Sequence, residues 1–378
     1  MRHRPPPEAL GAAGVFLACW ALVHTWFWSR GELVDWPTYA HYGRAIAGGL
    51  VPYRDFAVEY PPGALPVFVL PTAFADYASA FAWVMAVCGV MLVGVVALVR
   101  VRAAWYVALA PVLAGSLILS RFDLWPALLA TAALAALVAD RHALGWGFLG
   151  AAVAAKLWPL VLVPLALVWS LRRGRRLEPL AGLVVAVAVF LPFVVLAPSG
   201  VWHSVSGQAS RPLQIESLGA ALLAVLGDPG VVSGHGSQNV AGHGGLAACF
   251  AAAQAAAVAA VWLWFARGPA TTERLLRHAA AAVCAFVAFG KVLSPQFLLW
   301  LVPLVPLVRG RRGAAATALL TAALVLTQVW FPQRYWDYAN RLELAWVVLA
   351  RDLVLVALLA VLLVPLRVAG SRPIPESR

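Results

Sequence analysis

The sequence predicts an all-α polytopic membrane protein, one integral membrane domain over 1–378, and three observations carry that prediction. Hydrophobic residues make up 63% of the chain and mean hydropathy is +0.84, well above the roughly half-apolar composition of soluble domains. Apolar runs near the ~20 residues that a helix needs to cross a bilayer follow one another almost end to end. The arginines fall in short clusters between these runs, as they do in the cytoplasmic loops of membrane proteins. Helices rather than a barrel must satisfy the backbone, because the ~10-residue alternation of barrel strands is absent. The net charge of +12 therefore reads as topology, and nucleic acid is rejected as a partner.

Spans are expected at 9–28, 78–99, 103–120, 124–139, 143–155, 157–171, 179–197, 246–266, 278–290, 297–308, 314–331 and 344–366, a bundle of about twelve helices. The first is too long for a signal-peptide core and has no convincing cleavage site, so it reads as a retained anchor. Residues 61–75, "PPGALPVFVLPTAFA", are short and proline-rich. They read as a half-helix dipping into the interface, with prolines tolerated at its start.

Orientation follows the arginines. Arg2 and Arg4, "RVR" at 100–102, Arg141, "RRGRR" at 172–176, Arg267, Arg274 and Arg277, "RGRR" at 309–312 and the tail 367–378 fall on one side, which the positive-inside rule makes cytoplasmic. A multi-pass protein of the inner (plasma) membrane is expected. The other side receives outer loops 29–77 and 198–245, the turn "RFD" at 121–123, the break at Lys156, "KVLSPQF" at 291–297 and the polar stretch 332–343. Acids gather there: Glu32, Asp35, Asp55, Glu59, Asp76, Asp123, Glu216, Asp228, Asp337 and Glu343.

Cys19, Cys88, Cys249 and Cys284 lie in apolar stretches without CxxC spacing, which favours inert thiols over a disulfide or metal. The Gly-rich stretch 231–245 carries His235 and His243 but no nearby pair of carboxylates. It reads as a mobile linker, and no metal or cofactor is expected.

In a chain only 12% charged, the stretch "DWPTYAHYGRAIAGGLVPYRDFAVEYPP" at 35–62 concentrates Asp35, Arg44, Arg54, Asp55 and Glu59. Apolar and aromatic residues recur at helical spacing from Trp36 to Leu50, so a short interfacial helix is predicted. Asp35 before Trp36-Pro37 has the pattern of an N-cap followed by proline in the first turn. Capping alone accounts for Asp35 on one reading. On the other, ionisable groups at membrane depth mark a functional site. Arg54 beside Asp55 has its own plain alternative, a solvated surface pair.

This first-loop pattern, with "AAKLWPLVLVPLAL" at 154–167, "RPLQIES" at 211–217 and "SPQFLLWLVPL" at 294–304, resembles the polyprenyl-phosphate-sugar-dependent glycosyltransferases of the GT-C superfamily. The likeness spans nearly the whole chain and is closest to the bacterial α-1,2-mannosyltransferase family. It implies a GT-C-like bundle in which the outer-face loop carries short interfacial helices. It also implies a hexosyltransferase, with inversion, that moves mannose from a polyprenyl-phosphate donor to a lipid-linked or cell-envelope glycan acceptor on the extracytoplasmic face.

The family's catalytic first-loop aspartate corresponds to Asp35, and the resemblance makes it a general base. Lys156, Lys291 and Arg211 are the candidate cations for the donor phosphate. Snorkelling of each lysine, and pairing of Arg211 with Glu216, are the plain alternatives. Arg54, Asp55, Glu59, Tyr60, Arg121, Asp123, Gln214, Glu216, Ser294 and Gln296 are candidate substrate contacts, and Trp36 and Tyr39 are expected along the sugar path. Arg121 and Asp123 could equally form a mutual salt bridge. Active members often carry histidine in the segment where this chain has Ser294 and Gln296. Rival readings are a polyprenyl-linked sugar flippase, a non-catalytic envelope-assembly subunit, and a transferase of arabinofuranose or another sugar. No internal repeat of the kind found in many transporters is evident.

Overall fold

A computed structural model describes residues 7–30, 35–227 and 229–364. Arg2, Arg4, Glu32, Asp228 and the tail 367–378 lie outside the described residues. The chain is an all-α polytopic membrane protein. Each of the twelve expected spans falls on a helix or a chain of short helices. Among the described residues six helices are long and apolar enough to cross a bilayer: Pro7–Trp28, Tyr77–Val99, Pro179–Leu196, Gly244–Arg267, Gly310–Trp330 and Ala345–Leu363. Shorter apolar helices fill the interior, among them Leu124–Val138, His142–Ala155 and Trp158–Leu171.

Local chemistry sets the ends. The Asp76 carboxylate accepts from the Ala78 and Ser79 amides at 3.1 and 3.2 Å and so caps Tyr77–Val99. Thr271 caps Thr272–Ala288, which starts that helix several residues before the predicted 278. Expected span 103–120 is broken into Val101–Ala108, Ala110–Ala114 and Leu117–Ser120. Pro111 and Gly115 at φ +58° interrupt it. The helix His142–Ala155 stops at Lys156, whose backbone is extended (φ −161°, ψ 143°). Pro159 then begins the next helical segment.

Residues 62–73 form the predicted short segment, a run of 3₁₀ and α turns. It packs directly on His142–Ala155. A Cβ at Gly63 would come within 2.6 Å of the Ala154 backbone, so only glycine permits the approach. Gly150 and Gly182 likewise bring His142–Ala155 and Pro179–Leu196 into backbone contact, as small residues do between membrane helices. Of Pro179–Leu196 only Gly182 is buried, which leaves its leucines and valines to face lipid.

The basic clusters meet one another at one end of the bundle and satisfy the last carbonyls of its helices. The Arg100 guanidinium donates to the Pro306 and Val308 carbonyls at 2.9 and 2.7 Å. Arg172 donates to Ala266 and Gly268, Arg173 to Ala270 and Arg312 to Val364. Helices that start or finish at this end, such as Thr272–Ala288 and Gly310–Trp330, lead at their other ends to Lys291 and Phe331. The polar residues of the outer loops converge there.

One expectation is corrected. The stretch 231–245 is not simply a loose linker: Val231–Gly234 pairs antiparallel with Ser237–Val240 as a β-hairpin. Its turn holds His235 and Gly236 at positive φ. The hairpin is tied to the bundle because the Val240 amide donates to Leu213 O at 2.8 Å and the Ile215 amide to Gln238 O at 3.1 Å.

Candidate active site

Two adjoining cavities open at the end of the bundle away from the arginine clusters. The larger, about 610 Å³, is lined by Asp35, Glu59, Tyr60, Arg121, Arg211, Gln214, Glu216, Ser294 and Gln296, roofed by hairpin residues 233–238 and walled by Phe331, Tyr335 and Trp336. The smaller, about 230 Å³, is lined by Lys156, Lys291 and Arg211 with Pro61, Trp158, Phe286, Phe297 and Trp300. Glu59, Tyr60, Arg211, Ser294 and Gln296 line both, so these residues form the passage between them.

Asp35 precedes the helix Trp36–Ala47, but its side chain caps nothing. Its backbone is left-handed, at φ 72°, a conformation that Asp tolerates better than most residues. This turns the carboxylate away from the helix and into an ion pair with Arg121. The capping account of Asp35 therefore gives way to a tertiary one. The Arg121 partner is Asp35, not Asp123 as the salt-bridge alternative held.

Asp123 is fully buried and lines neither cavity. Its Oδ1 accepts from Lys156 Nζ at 2.6 Å and from Trp300 Nε1 at 2.6 Å. Its Oδ2 is buried with no hydrogen-bond partner. Lys156 does not snorkel. Its ammonium is held inward among the rings of Phe122 (4.6 Å), Trp300 (5.3 Å), Phe297 (5.7 Å) and Tyr60 (5.9 Å). Asp123 is thus a counter-ion beneath the cation, out of reach of a substrate.

No ion pair within 4 Å joins Arg211 to Glu216 among the described residues. Arg211 Nη2 instead donates to Ser237 Oγ of the hairpin at 2.9 Å, and its Nε is buried without a partner. Burial pulls the Arg211 guanidinium below its ordinary value, with Glu59 and Glu216 opposing. Burial, and then the Arg211 charge, do the same to the Lys291 ammonium. Arg211, largely buried with its Nε unpartnered, is suited to an anion, and Lys291 adds a second positive charge to the same wall. Gln214 Nε2 donates to Ser294 Oγ at 2.9 Å, and the Gln214 amide donates to Lys291 O at 2.9 Å. Gln296 Oε1 is buried and unpartnered. Glu216 is 2% exposed, and its burial pushes the carboxyl up to about 7.

Other expected contacts fall elsewhere. Arg54 and Asp55 pair with each other at 2.8 Å on an exposed turn and line neither cavity. Asp55 also accepts from the Val51 amide, and together these bonds bring its carboxyl down to about 2. Tyr39 is 1% exposed and stacked on Phe68, so it belongs to the core, and Trp36 lines neither cavity. The aromatic wall comes instead from Phe331, Tyr335 and Trp336. Residues 332–343, expected as a polar patch, thus supply Tyr335 and Trp336 to the cavity wall. His235 lines the larger cavity and His243 does not. No group of three metal-ligating side chains occurs among the described residues.

The sequence profile of glycosyltransferase family 87 matches residues 58–295, well over half of the chain. No curated protein matches it in sequence. The crystal structure of ArnT from Cupriavidus metallidurans bound to undecaprenyl phosphate is similar in fold. Its TM-score is 0.51 at 18% identity, covering 93% of this chain and 77% of that one. Taken with the helical bundle and the polar cavities at one end of it, the profile places the chain in glycosyltransferase family 87.

Proposed function

We propose that the protein transfers a sugar, mannose on the strength of its family likeness, from a polyprenyl-phosphate donor to a lipid-linked or cell-envelope glycan acceptor at the extracytoplasmic face of the inner membrane. One observation carries this reading. The three cations singled out in the sequence, Lys156, Lys291 and Arg211, line one small, partly aromatic cavity that adjoins the cavity holding Asp35. The phosphate and the first isoprene units fit the smaller cavity, and the sugar and acceptor fit the larger. ArnT, whose fold is similar, was crystallised with undecaprenyl phosphate. The positive-inside rule supports the outward orientation, because the arginine clusters occupy the opposite end.

Asp35 takes the proton of the acceptor hydroxyl as its oxygen attacks the anomeric carbon, a role commonly worth about 10²–10⁴-fold. The bond from that carbon to the phosphate oxygen breaks on the opposite side, which gives inversion. The leaving lipid keeps the oxygen and gains negative charge. Lys156, Arg211 and Lys291, already fixed in place, stabilise that charge. Arg121, paired with Asp35, aims its carboxylate.

The test is transfer of radiolabelled polyprenyl-phosphate-mannose to envelope lipid acceptors by the purified protein, beside Asp35→Asn. Loss of at least about 100-fold in the variant is expected. Equal transfer by both proteins removes Asp35 from the chemistry. Lipid movement across vesicles with no new glycosidic bond would instead establish the flippase reading. Parallel donors carrying arabinofuranose or other sugars identify the sugar.

A further inference from the structure

Behind the larger cavity lies a buried polar cluster that the transfer scheme leaves unused. Arg351 and Asp352 are both fully buried, in the middle of the apolar helix Ala345–Leu363 and beyond the family-matched residues. They are 2.7 Å apart. Buried charges in a membrane helix are costly and rarely without purpose.

Their reach is toward residues 214–216, an irregular stretch whose three successive carbonyls are each taken by a side chain. Ser217 Oγ donates to Gln214 O at 2.7 Å, Tyr338 Oη to Ile215 O at 2.6 Å and Arg351 Nη2 to Glu216 O at 2.7 Å. The amides of Gln214 and Ile215 are held as well, by Lys291 O and Gln238 O. This short turn, bridged to the hairpin strand through Gln214 and Asn239, is thus held on every side. Its product is the placement of Glu216, which lines the cavity with Oε2 buried and unpartnered.

We propose that Arg351 and Tyr338 are positioning residues that fix the Glu216 carboxyl in the larger cavity, where its unpartnered oxygen binds a hydroxyl of the donor sugar. This rests on the transferase reading above. A buried, unpaired carboxyl oxygen is expensive unless a ligand fills it, and a sugar hydroxyl supplies the missing partner. The groups facing Glu216 are Arg121 and Arg211 on the cavity side, Arg351 behind, and Tyr335 and Tyr338 beside it. With its carboxyl brought up to about 7, Glu216 can donate to a hydroxyl at neutral pH as well as accept from one.

The experiment compares affinities for bare undecaprenyl phosphate and for polyprenyl phosphates carrying mannose, glucose, galactose or arabinofuranose, in the full-length protein in nanodiscs. The readout is the ratio of sugar-bearing to bare affinity, which a partial loss of folding leaves intact. Glu216→Gln, Tyr338→Phe and the paired variant Arg351→Met/Asp352→Leu should each lower that ratio by about fivefold to tenfold, the worth of one hydrogen bond. The paired variant avoids stranding Asp352. Its ratio should also change with pH at a higher midpoint than in the wild type, because a cation stabilising the Glu216 carboxylate has gone.

Unchanged ratios and pH midpoints in the variants would overturn the proposal and return the cluster to a purely structural role. So would a wild-type protein that binds the bare lipid phosphate but gains nothing from any sugar, though the phosphate site would stand. A wild-type protein that binds no lipid phosphate at all would sink the transferase reading, and this inference with it.

Discussion

Replacing Lys156 with methionine separates folding from phosphate binding, because the structure gives the ammonium two tasks. Inward, it neutralises Asp123, a fully buried carboxylate with one unpartnered oxygen. Removing one partner of such a pair costs about 3–5 kcal/mol. Sideways, it lines the small cavity with Arg211 and Lys291, where a charge-assisted hydrogen bond to phosphate contributes about 1.5–3 kcal/mol. That corresponds to roughly 10- to 100-fold in Kd.

Lys156→Met should therefore melt well below the wild type in detergent and bind undecaprenyl phosphate weakly. Adding Asp123→Asn removes the stranded charge and should restore much of the melting temperature, with Trp300 still donating to the amide oxygen. It should restore none of the lipid affinity. Melting curves and lipid titrations on the single and double variants measure both quantities. Full affinity in the folded double variant would refute the phosphate role of Lys156. An unaltered melting temperature in Lys156→Met would refute the buried-pair argument.

The exposed Arg54–Asp55 pair lines neither cavity, so Arg54→Ala should leave transfer within about twofold of wild type, since such pairs contribute little. Gly63→Ala places a methyl 2.6 Å from immovable Ala154 backbone and should cost about 1–3 kcal/mol, seen as a lower melting temperature. Glu216 has its carboxyl raised from 4.5 to about 7 by burial, so the folded state holds that proton more tightly than the unfolded chain. Its contribution to stability is full below about pH 4.5, declines as pH rises toward 7 and is flat above. Subtracting the melting profile of Glu216→Gln from that of the wild type should leave this slope, and parallel profiles would contradict it.

Much of this architecture is written along the chain, because a bilayer imposes a one-dimensional rule. Apolar length decides where Tyr77–Val99 or Gly244–Arg267 crosses, and arginines between the runs decide which end of each is basic. The breaks were also legible, since Lys156 and Lys291 stand just before prolines in otherwise apolar surroundings. Arg351 and Asp352 are legible too, as two charges inside the expected span 344–366, but apolar length alone assigns them no role.

What no local pattern contains is partnership. Asp35 meets Arg121, Lys156 meets Asp123 and Trp300, and Arg351 meets the Glu216 carbonyl, each pair drawn from segments far apart in sequence. Which acid becomes a cavity wall and which a buried counter-ion depends on which helices lie side by side. So does the fate of a glycine-rich stretch, here a hairpin roof because Leu213 and Ile215 offer it an edge. The amino-acid order by itself determined the membrane class, the polarity of the bundle and most of the chemical groups at its polar end. Only tertiary packing decided their pairing, because a buried charge takes whichever opposite group the neighbouring helix brings within a few ångströms.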